Sequence, residues 1–222
     1  MEENKVKKAE KKQYSQEQKD RMEKCIKDFL SIVDDPNRPG LIETPKRVVK
    51  YWCELLEGQL YTNREIADMY NKCFDLEGDV DDGEEYGYNE YNSSAIKRDL
   101  VVETNIPVFS HCEHHLALMY DMKVTIAYIP KKKVIGLSKM GRIAEMCAKR
   151  LQLQEKLGAD INEVMQMVLG TKDVAVIIEG KHGCMTARGV KSREAITKSA
   201  CLQGRFKTVA ALREELYSLI KA

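Results

Sequence analysis

The sequence predicts an α+β fold: an antiparallel sheet with helices packed on one face, preceded by an N-terminal helical portion. Beyond Asp99, segments with strand-like alternation are followed by two segments of helical periodicity, and then strand character returns. Before Asp75, the apolar residues recur at helical spacing between capping signals. With 222 residues, 43% of them hydrophobic, the chain can bury one large core.

Residues 1–14 are rich in Lys and Glu without periodicity and read as a disordered charged arm. The helical portion, 15–74, opens where Ser15 and Gln18 match a capping box. Met22, Ile26, Phe29, Leu30 and Val33 then share one face, and Pro36 to Gly40 stops the helix. A second helix is signalled by Thr44 as cap and Pro45 at its first position, with Val48, Trp52, Leu55 and Leu56 as the apolar face and Arg47 in the first turn. The stretch 75–98 is an acidic loop insertion. Eight acidic residues fall between Asp75 and Glu90 with no Lys or Arg, and Asp79-x-Asp81 lacks the remaining ligands of a calcium loop.

The segment 99–222 carries the sheet. Leu100 to Phe109 is rich in β-branched residues, and Met122, Val124, Ile126 and Tyr128 alternate with Lys123, Thr125 and Ala127. A helix beginning near Ser138 aligns Met140, Ile143, Ala144, Cys147 and Leu151. The next has Asp160 and Glu163 as a cap pair, Ile161, Val164, Met165, Val168 and Leu169 as its core face, and Gly170 as its stop. Asp173 to Glu179 reads as a strand with Cys184 to Val190 as its partner, and Thr208 to Ile220 as a last amphipathic helix.

The charge sum, 36 basic against 35 acidic residues, sets up no global field toward nucleic acid or an anionic membrane, so neither partner is expected and any anion site must be local. No run approaches the roughly 20 apolar residues of a membrane span, and Met1 to Lys24 holds no apolar stretch fit for a secretory signal. A cytoplasmic location is the expectation. Seven scattered cysteines then suggest metal ligands or core residues in preference to disulfides.

Three of the four histidines crowd into Ser110-His111-Cys112-Glu113-His114-His115. Cys112 and His115 are three apart, so one turn can aim both at an ion, and a thiolate with an imidazole suits Zn²⁺. His182 lies beside Cys184 at another strand pair. A set of two cysteines and one histidine drawn from two strand ends would leave tetrahedral zinc one open position, the catalytic arrangement, but spacing alone does not establish the pairing. His111-x-Glu113 formally matches half of a base deaminase motif; the other half fails, because Gly183 precedes Cys184 and Ala187 stands where a second cysteine is needed. Ser138 at a helix start, with Lys139 and Arg142 in the first turns, makes an anion pocket fit for phosphate, to which Arg188 adds a fork-shaped donor.

Four blocks, Cys112-Glu113-His114-His115, Val134-Ile135-Gly136-Leu137-Ser138-Lys139, Arg150-Leu151-Gln152-Leu153-Gln154-Glu155 and His182-Gly183-Cys184-Met185-Thr186-Ala187-Arg188-Gly189, resemble in this order the signature blocks of GTP cyclohydrolase I. Ile42 to Arg47 extends the likeness into the helical portion. The resemblance implies a tunnelling fold assembled into a ring, a homo-oligomer of ten subunits with active sites between them. It also implies a zinc-dependent hydrolase that opens the imidazole ring of GTP at C8, releases formate and forms 7,8-dihydroneopterin triphosphate.

Carried over by position, the resemblance makes Cys112, His115 and Cys184 the zinc ligands and His114 and His182 the acid–base residues, with His182 placed to protonate the guanine imidazole. Ser138, Lys139, Arg142 and Arg188 match ribose and triphosphate contacts. Arg47 matches a triphosphate contact from a neighbouring chain, and Gln154 and Glu155 match the guanine end. A second reading from a different class is a non-catalytic purine- or pterin-binding protein of this fold with a structural zinc. Formate release from GTP separates the two.

Overall fold

The computed structural model describes residues 11–76 and 100–221. Most of the acidic insertion expected over 75–98, and residues 1–10 of the charged arm, lie outside the described residues. Residues 11–14 of that arm make defined contacts: Lys12 N donates to Tyr61 Oη at 2.6 Å, Tyr14 Oη donates to Leu56 O, and Lys12 Nζ pairs with Glu65.

Helix α1 (Gln16–Val33) carries the expected capping box of Ser15 and Gln18. Helix α2 (Thr44–Leu55) starts one residue earlier than expected: Glu43 is the cap, Thr44 is the first helical residue and Pro45 follows, where its missing N–H costs nothing. A 3₁₀ turn (Glu57–Leu60) leads to α3 (Asn63–Tyr70), a helix the sequence reading did not identify although Thr62 and Glu65 form a second capping box. It buries Ile66 and Ala67 in the main core, so the helical portion shares its core with the sheet. Gly58 makes the close approach possible: a Cβ there would stand 2.1 Å from Met146 O.

Short strand β1 (Cys73–Asp75) pairs only with β4 (Lys133–Ile135) among the described residues. The large sheet is built from β2 (Val101–Cys112), β3 (Ala117–Tyr128), β5 (Leu151–Gln152), β6 (Val174–His182) and β7 (Thr197–Leu202), in the spatial order β5-β2-β3-β6-β7. All its pairings are antiparallel except the two-residue β5, which runs parallel to β2. Two of the register shifts between β2, β3 and β6 coincide with positive φ at Asn105 and Asp121, which marks them as bulges.

Helices α4 (Leu137–Ala148) and α5 (Gln154–Leu169) pack side by side on one face, burying Met140, Ile143, Leu157, Ile161 and Met165 against Val124, Ile126, Val176 and Ile178. The opposite face is covered in part as well. Alternation sends Ala127, Ala175 and Ile177 the other way, where Phe206 of α7 (Arg205–Thr208) and Leu216 of α8 (Ala210–Lys221) meet them. The C-terminal helix expected over 208–220 is α8, and the one-turn α7 precedes it.

Two further expectations are corrected. Asp160 is not a helix cap: it lies inside α5, buried, as the partner of Arg150. Leu153 precedes α5 without a side-chain cap, so the first turn leaned on no Ser, Thr or Asp signal and the start could not be read. Residues 184–190 are not a strand either: they form a one-turn helix, α6 (Gly183–Thr186), and a turn. The outer partner of β6 is β7, whose first four residues alternate between half-buried and exposed. No helix among the described residues is long and apolar enough to cross a membrane.

Candidate active site

Strand register brings two distant sequence blocks to the same end of the sheet. Ser110 of β2 and His182 of β6 are both paired with Met119 of the intervening β3. Cys112 therefore ends β2 one strand away from the point where β6 hands over to α6 and Cys184. Tyr120 Oη lies 3.0 Å from Thr186 Oγ1 and holds α6 against β3. Gly183 passes so close that a Cβ would meet Leu118 O at 3.0 Å.

The turn from Cys112 to Leu116 presents the histidines. His115 N donates to Cys112 O, folding the turn back on itself, and Leu116 closes it at φ 52°, a left-handed conformation costly for a leucine. One ligand atom each from Cys112, His115 and Cys184 lies within 4.8 Å of the other two. The sequence could not establish this convergence because it is made by strand register across about 70 residues.

The donor set fits a soft or borderline divalent cation. Cys112 is buried at 6% exposure. Burial and the adjacent Cys112 sulfur push the Cys184 thiol up, because two neighbouring thiolates repel unless a cation lies between them. Two thiolates and one imidazole leave the fourth tetrahedral position open.

Around this cluster the other site residues divide into near and far groups. His114 is exposed, with its ring 6.2 Å from that of His115. His182 is half-buried; burial pulls its imidazole down while Glu155 pulls it up, so the Glu155 carboxylate lies within electrostatic reach. Glu155 is exposed in the first turn of α5. Arg188, exposed in the turn after α6, favours the Cys184 thiolate by its charge. Gln154 is 1% exposed, and its oxygen contacts His182 Nε2 at 3.0 Å. His111, 2% exposed, packs edge-on against Trp52 of α2 with ring centroids 5.0 Å apart and is not in the cluster.

Ser138, Lys139 and Arg142 do not join these residues within one chain. They occupy the start of α4, and the chain enters that helix from Ile135, whose N–H donates to Tyr128 Oη at the far end of β3. Only the other end of α4, roughly 18 Å away, reaches the cluster side, where Ser110 Oγ donates to Arg150 O and Gln152 Nε2 donates to Cys147 O. Arg47 is exposed on α2 and paired with Glu43. The sequence reading had grouped Lys139, Arg142 and Arg188 at one helix start. In the fold, Arg188 sits with the cysteines instead.

A family model for GTP cyclohydrolase I matches residues 22–221. GTP cyclohydrolase 1 of Clostridium botulinum (strain Kyoto / Type A2) is 50% identical over 191 residues, which cover 86% of this chain and 91% of that protein. The proteins of the same name from Clostridium acetobutylicum and Clostridium beijerinckii are 49% and 46% identical over 202 residues, covering 90% of this chain and 96% of each. With 200 of 222 residues inside the family match and these identities along nearly its whole length, the chain belongs to the GTP cyclohydrolase I family.

Proposed function

We propose that this protein is a zinc-dependent GTP cyclohydrolase I: it hydrolyses the imidazole ring of GTP at C8, releases that carbon as formate and yields 7,8-dihydroneopterin triphosphate. The observation that carries the reading is the convergence of Cys112, His115 and Cys184 beside His182 and Glu155. Cys112, His115 and Cys184 would hold Zn²⁺, which when bound supplies a Lewis acid able to bring the acidity of water close to neutrality.

The remaining roles belong to the chain's own groups. His182 delivers a proton to the guanine imidazole nitrogen as the ring opens, and His114, exposed beside His115, exchanges protons with solvent. Glu155 accepts from N1–H and the 2-amino group of guanine, two adjacent donors that adenine lacks. Arg188 binds a phosphate oxygen or the ribose at the cluster side.

Ser138, Lys139, Arg142 and Arg47 bind the triphosphate in this reading, and the separation along α4 gives that assignment a consequence. A triphosphate held at the start of α4 must belong to a site completed by the cluster of another copy of the chain. This supports a closed homo-oligomeric ring of tunnelling-fold subunits, ten by family resemblance, in which the outer edges of β5 and β7 find partners. Incubation of the zinc-loaded protein with GTP, followed by oxidation, should develop pterin fluorescence. Intact GTP after prolonged incubation would overturn the proposal in favour of a binding protein.

A further inference from the structure

Gln154 is the first residue of α5, and each polar atom of its buried side chain is committed. Its Nε2 lies 3.1 Å from Ile178 O, 3.2 Å from Thr197 O and 3.0 Å from Ser199 Oγ. Ile178 and Ser199 are register partners across β6 and β7, so the amide nitrogen sits over the junction of the two strands. Its Oε1 lies 3.0 Å from His182 Nε2.

Two of the nitrogen's neighbours are main-chain carbonyls, which only accept. Turning the amide over would press its oxygen against both carbonyl oxygens, replacing two attractive contacts with two repulsive ones. The orientation is therefore fixed, with nitrogen toward the strands and oxygen toward His182. An amide oxygen has no hydrogen to give, so the contact is a hydrogen bond only when His182 Nε2 carries the hydrogen. The other ring nitrogen, Nδ1, makes no hydrogen bond among the described residues.

We infer that Gln154 is a positioning residue that holds His182 through Nε2–H, so that Nδ1 is the nitrogen that gives and takes the proton in the reaction. The inference rests on the proposed function for the role of His182 and adds which atom performs it. In the donating step the doubly protonated ring passes its Nδ1 proton to the guanine imidazole nitrogen. The electron pair of that N–H bond stays on Nδ1, and the product is the neutral Nε2–H tautomer. The Nε2–H to Gln154 bond persists in both states, so the ring need not turn between giving a proton and taking one back. A triad histidine whose tautomer is wrong loses about 10⁴-fold in rate, which sets the scale of such control.

A purely structural Gln154, there only to satisfy carbonyls of β6 and β7, would explain its nitrogen but not its oxygen. Two measurements separate these roles. With four histidines in the chain, the ¹⁵N spectrum of histidine-labelled, zinc-loaded protein can be assigned at His182 by the resonances lost in His182→Gln. The neutral ring should show a protonated Nε2 and a bare Nδ1; the opposite tautomer overturns the inference.

In kinetics, Gln154→Met keeps length and apolar bulk but offers His182 no acceptor. Its kcat for GTP should fall on the order of 10²-fold, with KM within about 3-fold of wild type. Gln154→Glu also loses the donor to Ile178 and Thr197 yet keeps an acceptor oxygen for His182, so it should recover about 10-fold of that kcat. Equal losses in the two variants, or an unchanged kcat in Gln154→Met, would reduce Gln154 to a structural residue. If Gln154→Met does not fold, the tautomer of the wild-type protein decides. If the wild-type protein releases no formate from GTP, the proposed function fails while the tautomer measurement still decides the hydrogen-bond assignment.

Discussion

Arg150 and Asp160 form an ion pair at 2.7 Å with both side chains about nine-tenths buried, and the guanidinium reaches across to the helical portion as well. Its other donors go to Gly58 O, Tyr61 O and Asn63 Oδ1. One side chain thus ties the segment from Gly58 to Asn63 to the turn that carries Gln154 and Glu155. Asp160 also pairs with the exposed Lys156, and Gly58 O also accepts from Tyr61 N, so Arg150→Met takes the buried partner from Asp160 and its donors from Tyr61 O and Asn63 Oδ1 without stripping the carboxylate bare. The variant should lower stability by about 2–4 kcal/mol. The midpoint of urea unfolding, compared with that of wild type, checks it.

Glu65 gives a pH-dependent contribution at the surface of the same region. Lys12 and the cap residue Thr62 hold its carboxyl at about 2, against an ordinary value of 4.5. The folded state therefore binds its proton less readily than the unfolded chain, and the contribution is complete above pH 4.5 and lost as pH falls toward 2. Glu65→Gln keeps the cap geometry and removes the charge. Its melting temperature should lie below that of wild type at neutral pH, with the gap closing as pH drops through this window. A gap that stays constant with pH would assign the effect to the cap alone.

For the metal centre, Cys184→Ala should lose nearly all zinc by elemental analysis, because two remaining ligands do not hold the ion. His114→Ala should keep zinc and lose activity. Full zinc in Cys184→Ala would remove that residue from the ligand set.

The separation of the two halves of the site makes mixed assemblies informative. Lys139→Ala and His182→Ala chains should each be inactive alone. Co-assembled in equal amounts they should regain up to about a quarter of the wild-type rate, the share of interfaces pairing two intact halves. No recovery in verified mixed assemblies would place both residues in one chain's site.

How far the sequence could be read depended on whether a signal was local. The capping box at Ser15, the alternation through Met122 to Tyr128 and the stripe on α4 from Met140 to Cys147 are local patterns that marked their elements, although Leu151, expected on the same stripe, lies beyond the helix in β5. Asp160 was misread as a cap because Asp and Glu three apart look the same at a helix start and in a helix interior; its buried partner Arg150 is ten residues back and invisible to that pattern. Cys184 to Val190 reads as a strand from its composition, although Gly183 precedes it, Gly189 interrupts it, and the outer partner of β6, β7, begins only at Thr197.

In the site, the Cys112, His114 and His115 cluster was visible as composition, and Cys184 was suggested by His182 beside it. That Cys112, His115 and Cys184 meet, that Ser138 and Lys139 stand apart from them, and that Gln154 faces His182 are facts of strand register and helix direction, which no spacing rule encodes.

The central claim is ring opening of GTP at C8, and the direct measurement is the fate of that carbon. GTP labelled with ¹³C at C8, incubated with zinc-loaded protein, should yield labelled formate in step with the oxidisable pterin, one for one. Label retained in an intact purine, or release of ammonia without formate, would contradict the account.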